Sequence, residues 1–327
     1  MEIDGESVPW SEKYRPTTLN AVIGQTETIK NLQRCLAKKS FPHFIFTGTA
    51  GTGKTTSAFC FINDLCKLYN PNIHQLPPNQ LLFRNASDKN KLSDNDEIKG
   101  FVFTITFVSD IPYKFVVLDE CDNMTMDKQL ALRKIIESAP PNVRFIFLCN
   151  YVENLAEPII SRCAVYHFYP LKPEEVKHDL VTILQQENIT VPDHLISIII
   201  QATRGDLRNA INTLQFMLLT PNQTEQQIYE YLNLLAPHLL NDIGMDIITG
   251  SFSHLELIYT VFPSSTSRCL LQQLLFWFLE QPFPFATLCK ITNILAEFDL
   301  RFTEGADHKL QMASLFAELE NCFLEED

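Results

Sequence analysis

The octapeptide Gly48-Thr49-Ala50-Gly51-Thr52-Gly53-Lys54-Thr55 fits the pattern G-x-x-x-x-G-K-[ST], in which glycines let backbone N–H groups turn inward around phosphate oxygens. Lys54 supplies a point charge to the β- and γ-phosphates. Thr55 offers a hydroxyl to Mg²⁺, and the helix that follows adds the positive end of its dipole. Thr49, Ala50, Thr52 and Thr56 complete the cradle. The chain has ten glycines, and three of them fall within positions 48–53, so overall composition does not account for the cluster. The flanks agree with it. Phe44-Ile45-Phe46 reads as a buried strand, and residues 54–68 put Ala58, Phe61, Ile62 and Leu65 on one helical face. Strand, glycine loop and helix in that order predict a nucleoside triphosphate site, with ATP and Mg²⁺ as cofactors.

A second apolar strand, Phe115 to Leu118, runs into Asp119-Glu120-Cys121-Asp122. Standing alone this would be a solvated acidic turn. Beside a phosphate loop, Asp119 is placed to help hold Mg²⁺, and Glu120 to polarise an attacking water as general base. Water as nucleophile means hydrolysis rather than phosphorylation of a small acceptor. Further strands are expected at Leu81 to Phe83, Arg144 to Cys149 and Ala164 to Phe168. A helix is expected over 126–138, closed by Pro140-Pro141, with loops over 69–80 and from Asp88 toward Lys99. Alternating strands and helices predict an α/β parallel sheet. After Pro170 the strands stop, and residues 173–187, 192–203 and 206–219 read as helices. A second helical block begins near 224 and includes the apolar runs Leu270 to Leu279 and Leu288 to Phe298. Three domains are expected, at 1–170, 171–223 and 224–327.

Composition narrows the class. At about 100–200 residues per domain, 327 residues suggest two or three domains. The nine cysteines show no zinc spacing and sit mostly in apolar runs, as reduced buried thiols do. That implies a reducing compartment. Met1-Glu2-Ile3-Asp4-Gly5-Glu6 is acidic and unlike a secretory signal, and no apolar run reaches the ~20 residues of a membrane span. Net charge is −13; residues 224–327 hold 15 acidic and 4 basic side chains, a net −11, which leaves −2 on the first 223 residues. The last third therefore repels phosphate backbones, and nucleic-acid contact is confined to local patches further forward.

Taken in order, the motifs resemble the AAA+ ATPases, and within them the small subunits of replication factor C, the clamp loader. Pro9-Trp10-Ser11-Glu12-Lys13-Tyr14-Arg15-Pro16 resembles the family's opening, and Val22-Ile23-Gly24-Gln25 its adenine-side segment. Asn85-Ala86-Ser87-Asp88, Asp119 to Asp122, Ala131-Leu132-Arg133-Lys134, Leu148-Cys149-Asn150-Tyr151, Ser161-Arg162-Cys163, Gly205 to Ala210 and Arg301-Phe302-Thr303-Glu304-Gly305 follow at family spacing. Cys121 replaces the usual alanine, and Lys89-Asn90-Lys91 replaces the usual E-R-G.

The resemblance implies an AAA+ core, a small helical lid and an all-α collar. It implies that Ser11 and Ile23 touch the nucleotide, that Asn150 orients water or touches the γ-phosphate, and that Arg208 closes onto it. Arg162 would act in trans on a neighbouring subunit's ATP, and Asn85 could restrain Glu120 until DNA is bound. Lys99, Lys128, Arg133 and Lys134 are candidates for DNA phosphates. The implied partners are other clamp-loader subunits in a pentamer, a sliding clamp and primer–template DNA, with no membrane. The implied compartment is the nucleus, or the cytoplasm in a prokaryote or virus. Two rival readings stay open, an ATP-binding structural subunit without turnover and a stand-alone phosphotransferase.

Overall fold

The computed structural model describes residues 8–73, 76–86, 94–104, 110–220, 225–251, 253–261, 267–305 and 307–324. The opening hexapeptide, Ser87-Asp88 and Lys89-Asn90-Lys91 lie outside them. The chain forms two compact units, Met1–Phe216 and Met217–Asp327.

The first unit runs α1 (Trp10–Lys13), α2 (Thr26–Lys38), β1 (His43–Gly48), α3 (Lys54–Tyr69), β2 (Leu81–Asn85), α4 (Asp94–Phe103), β3 (Lys114–Asp119), α5 (Met126–Ser138), β4 (Val143–Cys149), α6 (Glu157–Ile160), β5 (Cys163–Phe168), α7 (Pro173–Gln186), α8 (Asp193–Thr203) and α9 (Leu207–Leu219). The five strands make one parallel sheet in the order β2-β3-β4-β1-β5.

Both faces of this sheet are covered, which is why its strands read as unbroken apolar runs rather than alternating ones. Successive residues go to opposite layers. Phe44, Phe46, Phe115, Val117, Ile146 and Leu148 enter one core with Phe61, Ile62 and Leu65 of α3. Ile45, Val116, Leu118, Phe145 and Phe147 enter the other with Leu132 and Ile136 of α5. Aromatic rings interlock in the first layer, with Phe61 edge-on to Phe41 and Phe44 at 5.0 and 5.2 Å.

Helix ends follow local chemistry. Thr125 caps α5, and α5 stops before Ala139-Pro140, where the residue ahead of a proline disfavours helical backbone. α7 starts with Pro173 in its first turn, and Glu175 accepts a 2.9 Å hydrogen bond from the Lys172 N–H. α2 has no counterpart among the helices expected from periodicity. Its apolar stripe is thin, with Ile29 and Leu32 the buried members, and its other positions are mostly polar.

The second unit holds α10 (Glu225–Tyr231), α11 (Pro237–Thr249), α12 (Leu255–Val261), α13 (Ser267–Glu280), α14 (Phe285–Thr303) and α15 (His308–Leu324). Leu274, Phe278, Ile291, Phe298, Leu315 and Phe316 form its core. Buried Gln273 ties α13 to the turn between α10 and α11, donating to Asn233 O at 2.9 Å and accepting from Leu235 N at 2.7 Å. Arg301 pairs with Glu297 and Glu318, so this part of the R-x-x-E-G stretch braces α14 against α15.

One titratable group sits in the seam between β1 and β4. His43 Nδ1 accepts the Phe145 N–H at 3.1 Å, which requires a neutral ring. Burial, helped by the Arg144 guanidinium, pushes its pKa down to about 4. A depressed histidine pKa means that the folded form resists a proton the unfolded chain accepts. Stability from His43 is thus complete above the usual pKa of 6.5 and is lost as pH falls toward about 4. His43→Asn, which keeps an acceptor, is expected to remove about 1–2 kcal/mol of the stability difference between neutral and mildly acidic pH, allowing for partial exposure. Urea unfolding at both pH values measures it; an unchanged difference would exclude His43 as the cause.

Candidate active site

A parallel sheet brings all its strand carboxyl ends to one edge, where ligands of such sheets bind. Here that edge carries Gly48 at the end of β1, Asp119 at the end of β3 and Asn150 just after β4, and Asp119 and Asn150 border a cavity of about 320 Å³. Gly48, with φ +150°, passes so near β5 that a Cβ would stand 2.0 Å from Phe168 O. At Gly51, with φ +68°, a Cβ would stand 1.7 Å from Asp206 Oδ1, and that oxygen caps α9 by accepting the Asn209 N–H at 2.9 Å. The loop is therefore packed on the cap of the helix that carries Arg208. Thr52 pins it internally by donating to Thr49 O at 2.8 Å.

Lys54, first residue of α3, donates from Nζ to Gly48 O at 2.6 Å, Thr49 O at 2.8 Å and Asn150 Oδ1 at 3.1 Å. Burial lowers its pKa, while Asp119 pulls the other way. The ammonium thus bridges the phosphate loop and the tip of β4. One residue on, Thr55 Oγ1 lies 3.3 Å from Asp119 Oδ2. A hydroxyl and a carboxylate are the hard oxygen donors that Mg²⁺ takes beside phosphate and water, so this pair fits the ion. Asp119 Oδ1 accepts the Glu120 N–H at 2.9 Å, and Glu120 turns out of the strand with φ +53°, its side chain exposed at the cavity.

Asp122 does more than its place in the acidic motif suggested. Its Oδ2 accepts the N–H groups of Asn150 and Tyr151 at 3.1 and 3.3 Å, and its Oδ1 is buried with no hydrogen-bond partner among the described residues. Thr47 donates to Asn150 O at 3.1 Å. Asn150 is thereby fixed from β1 and from the acidic turn.

Ser11, Ile23, Ala50, Gly51, Thr52, Gly53, Lys54, Thr55, Thr56, Asp119, Glu120, Asn150 and Arg208 all border the cavity. Gly48 and Thr49 border a separate hollow beside Tyr151 and Phe168. Arg162 is not among the lining residues. It is exposed, donating to Pro158 O at 2.7 Å and to Glu137 Oε1 at 2.6 Å, and Arg133 holds the same Glu137 oxygen at 2.8 Å. Lys99 and Lys134 are exposed and Lys128 half-buried on α4 and α5, away from the cavity lining. Strand register sets Asn85 beside Asp119.

A family model described as DNA polymerase III, delta subunit, matches residues 24–172. The replication factor C small subunit of Sulfurisphaera tokodaii is 33% identical over 322 residues, covering 96% of this chain and 95% of that protein. The replication factor C small subunit of Thermofilum pendens is 35% identical over 320 residues, covering 95% of each. The chain belongs to the replication factor C small-subunit family. This is the clamp-loader family, with an AAA+ nucleotide-binding core, that the motifs resemble. Among solved structures, the RuvB Holliday junction branch migration motor of Thermotoga maritima shares the fold at TM-score 0.52, with 18% identity over 72% of this chain and 79% of that one.

The contact of Gly51 with the α9 cap makes a direct prediction. Gly51→Ala, strained at φ +68° and colliding with Asp206, is expected to weaken ATP binding at least about tenfold, as displaced phosphate-loop donors would. Equilibrium titration measures it; wild-type affinity would show that the loop and α9 are not coupled.

Proposed function

We propose that this chain is an ATP-hydrolysing subunit of a clamp loader, and that its active site is completed by a neighbouring subunit. The observation that carries this reading is one contrast. Lys54, Thr55, Asp119, Glu120 and Asn150 converge on one cavity, whereas Arg162 lies outside it on the exposed surface. A guanidinium that does not reach its own site is available to another chain's site.

In this reading Lys54 and the loop N–H groups bind the triphosphate. Thr55 and Asp119 hold Mg²⁺, which when bound neutralises charge on the phosphate oxygens. Glu120 draws a proton from water aligned by Asn150, and Arg208 senses closure of the helices behind the loop. Arg162 leaves Glu137 to meet the partner's triphosphate. Residues 1–170, 171–223 and 224–327 serve as core, lid and collar. The acidic collar suits protein assembly into a pentamer better than DNA contact. Lys99, Lys128 and Lys134 would meet primer–template phosphates, and Arg133 would have to leave Glu137 to join them. ATP favours the state that grips clamp and DNA by binding it more tightly than the released state, and hydrolysis removes that preference.

The relatives compared are archaeal, so they lend no support to a nuclear location, whereas the prokaryotic alternative fits them. Among the described residues no helix is long and apolar enough to cross a membrane.

Glu120→Gln keeps the shape of the site and removes the base. Within the assembled complex it should bind ATP as wild type does and lower turnover at this site by about 10²–10⁴-fold. Unchanged turnover would mean that this subunit binds ATP without hydrolysing it.

A further inference from the structure

The cavity contains a carboxylate that the hydrolytic chemistry does not use. Asp179 of α7 lines it with Tyr14, Val22, Ile23, Leu171 and Ile211. Asp179 has no hydrogen bond or ion pair among the described residues. Burial pushes its pKa up to about 6, with His178 pulling it back down, so it is ionised at neutral pH although partly desolvated. An ionised carboxylate removed from water without a partner is costly, and this one faces an open cavity.

Its position along the cavity is set from both sides. Just before it, Glu175 and Leu171 press on Gly24, where a Cβ would stand 3.2 Å from Glu175 Oε2 and 2.3 Å from Leu171 Cδ2. Two turns after it, Glu187 accepts from Lys13 Nζ at 2.6 Å and Tyr14 Oη at 2.5 Å. α7 is thus fastened to the segment from Lys13 to Gly24 at two points, and Asp179 lies between them, on a wall distinct from the phosphate loop. A carboxylate repels a triphosphate, so the part of a nucleotide it can meet favourably is the nucleoside. Val22, Ile23, Leu171 and Ile211 supply apolar surface for the flat faces of a base. An ionised carboxylate only accepts hydrogen bonds, so it selects for a donor on the base edge.

We propose that Asp179 is the base-reading residue of this site, accepting a hydrogen bond from an amino group of the purine and so favouring purines that carry one. This inference rests on the cavity being a nucleotide site. A base without the amino group leaves the carboxylate desolvated and unpaired, the arrangement that gives polar sites their strongest discrimination.

The test is titration calorimetry on the full-length chain with Mg²⁺, using ATP, purine riboside triphosphate (which lacks the amino group), and the 2′-deoxy and 3′-deoxy forms of ATP. Wild type should bind purine riboside triphosphate about tenfold or more weakly than ATP, the scale of a lost hydrogen bond to a charged group. Both deoxy forms should stay within about threefold of ATP, since they keep that bond. Asp179→Ala should abolish the discrimination, weakening ATP and relieving the analogue of an unpaired carboxylate, so that the two bind with about equal affinity. Equal wild-type affinity for ATP and the analogue would overturn the proposal while leaving the nucleotide site intact. Loss confined to a deoxy form would also overturn it, because the carboxylate would then read the ribose. Failure to bind any of the four would instead remove the nucleotide reading on which it stands.

Discussion

The ammonium of Lys54 sits at the end of the sheet, partly withdrawn from water, and the surrounding structure supplies what it needs. Burial makes its charge harder to hold, so it requires oxygen acceptors on several sides. Two are carbonyls of its own loop, Gly48 O and Thr49 O, which the chain can aim inward only by passing close to β5 and to the α9 cap, where side chains would collide. The third, Asn150 Oδ1, arrives from β4, which must therefore lie next to β1. The parallel order β2-β3-β4-β1-β5 meets that condition and brings Asp119 to the same edge from β3. A triphosphate at this loop would compete for the ammonium with these acceptors, and the same contacts hold Lys54 against the phosphate loop.

Parts of the site that act at different moments are joined by short physical links. Asp122 fixes the backbone of Asn150 while the Asn150 side chain holds Lys54. Gly51 rests against Asp206, whose carboxylate caps the helix carrying Arg208. The phosphate loop is therefore linked to the tip of β4 and to the cap of α9 by hydrogen bonds and close packing within one compact unit. Arg162 stands outside this network, held by Pro158 and by the Glu137 that also takes Arg133.

Much of this was legible in the sequence, for a physical reason. The phosphate loop and the acidic strand end are local, each requirement falling within a few consecutive residues. The buried strands announced themselves because both faces of a parallel sheet are covered. Helix α2 escaped because only Ile29 and Leu32 of its thirteen residues are buried. The role of Asp122 was only half visible, since its link to Asn150 depends on β3 and β4 being neighbours. Asp179 could not be read at all. Its exposure to the cavity depends on how α7 is fastened to the Lys13–Gly24 segment, and nothing in the local spelling of α7 distinguishes it from a solvated helix surface. Arg133 looked like a cation available for DNA, although Glu137 stands four residues on in the same helix, where such a pair meets; only the fold reveals that Arg162 shares that carboxylate.

The measurement that bears most directly on a site shared between chains is ATP turnover in a clamp-loader assembly carrying Arg162→Ala in this subunit alone. Hydrolysis should fall by about 10³–10⁵-fold at the adjacent subunit's site, while this chain's own nucleotide occupancy stays at the wild-type level. Loss of turnover at this chain's own site, with the neighbour unaffected, would contradict a guanidinium acting across the interface.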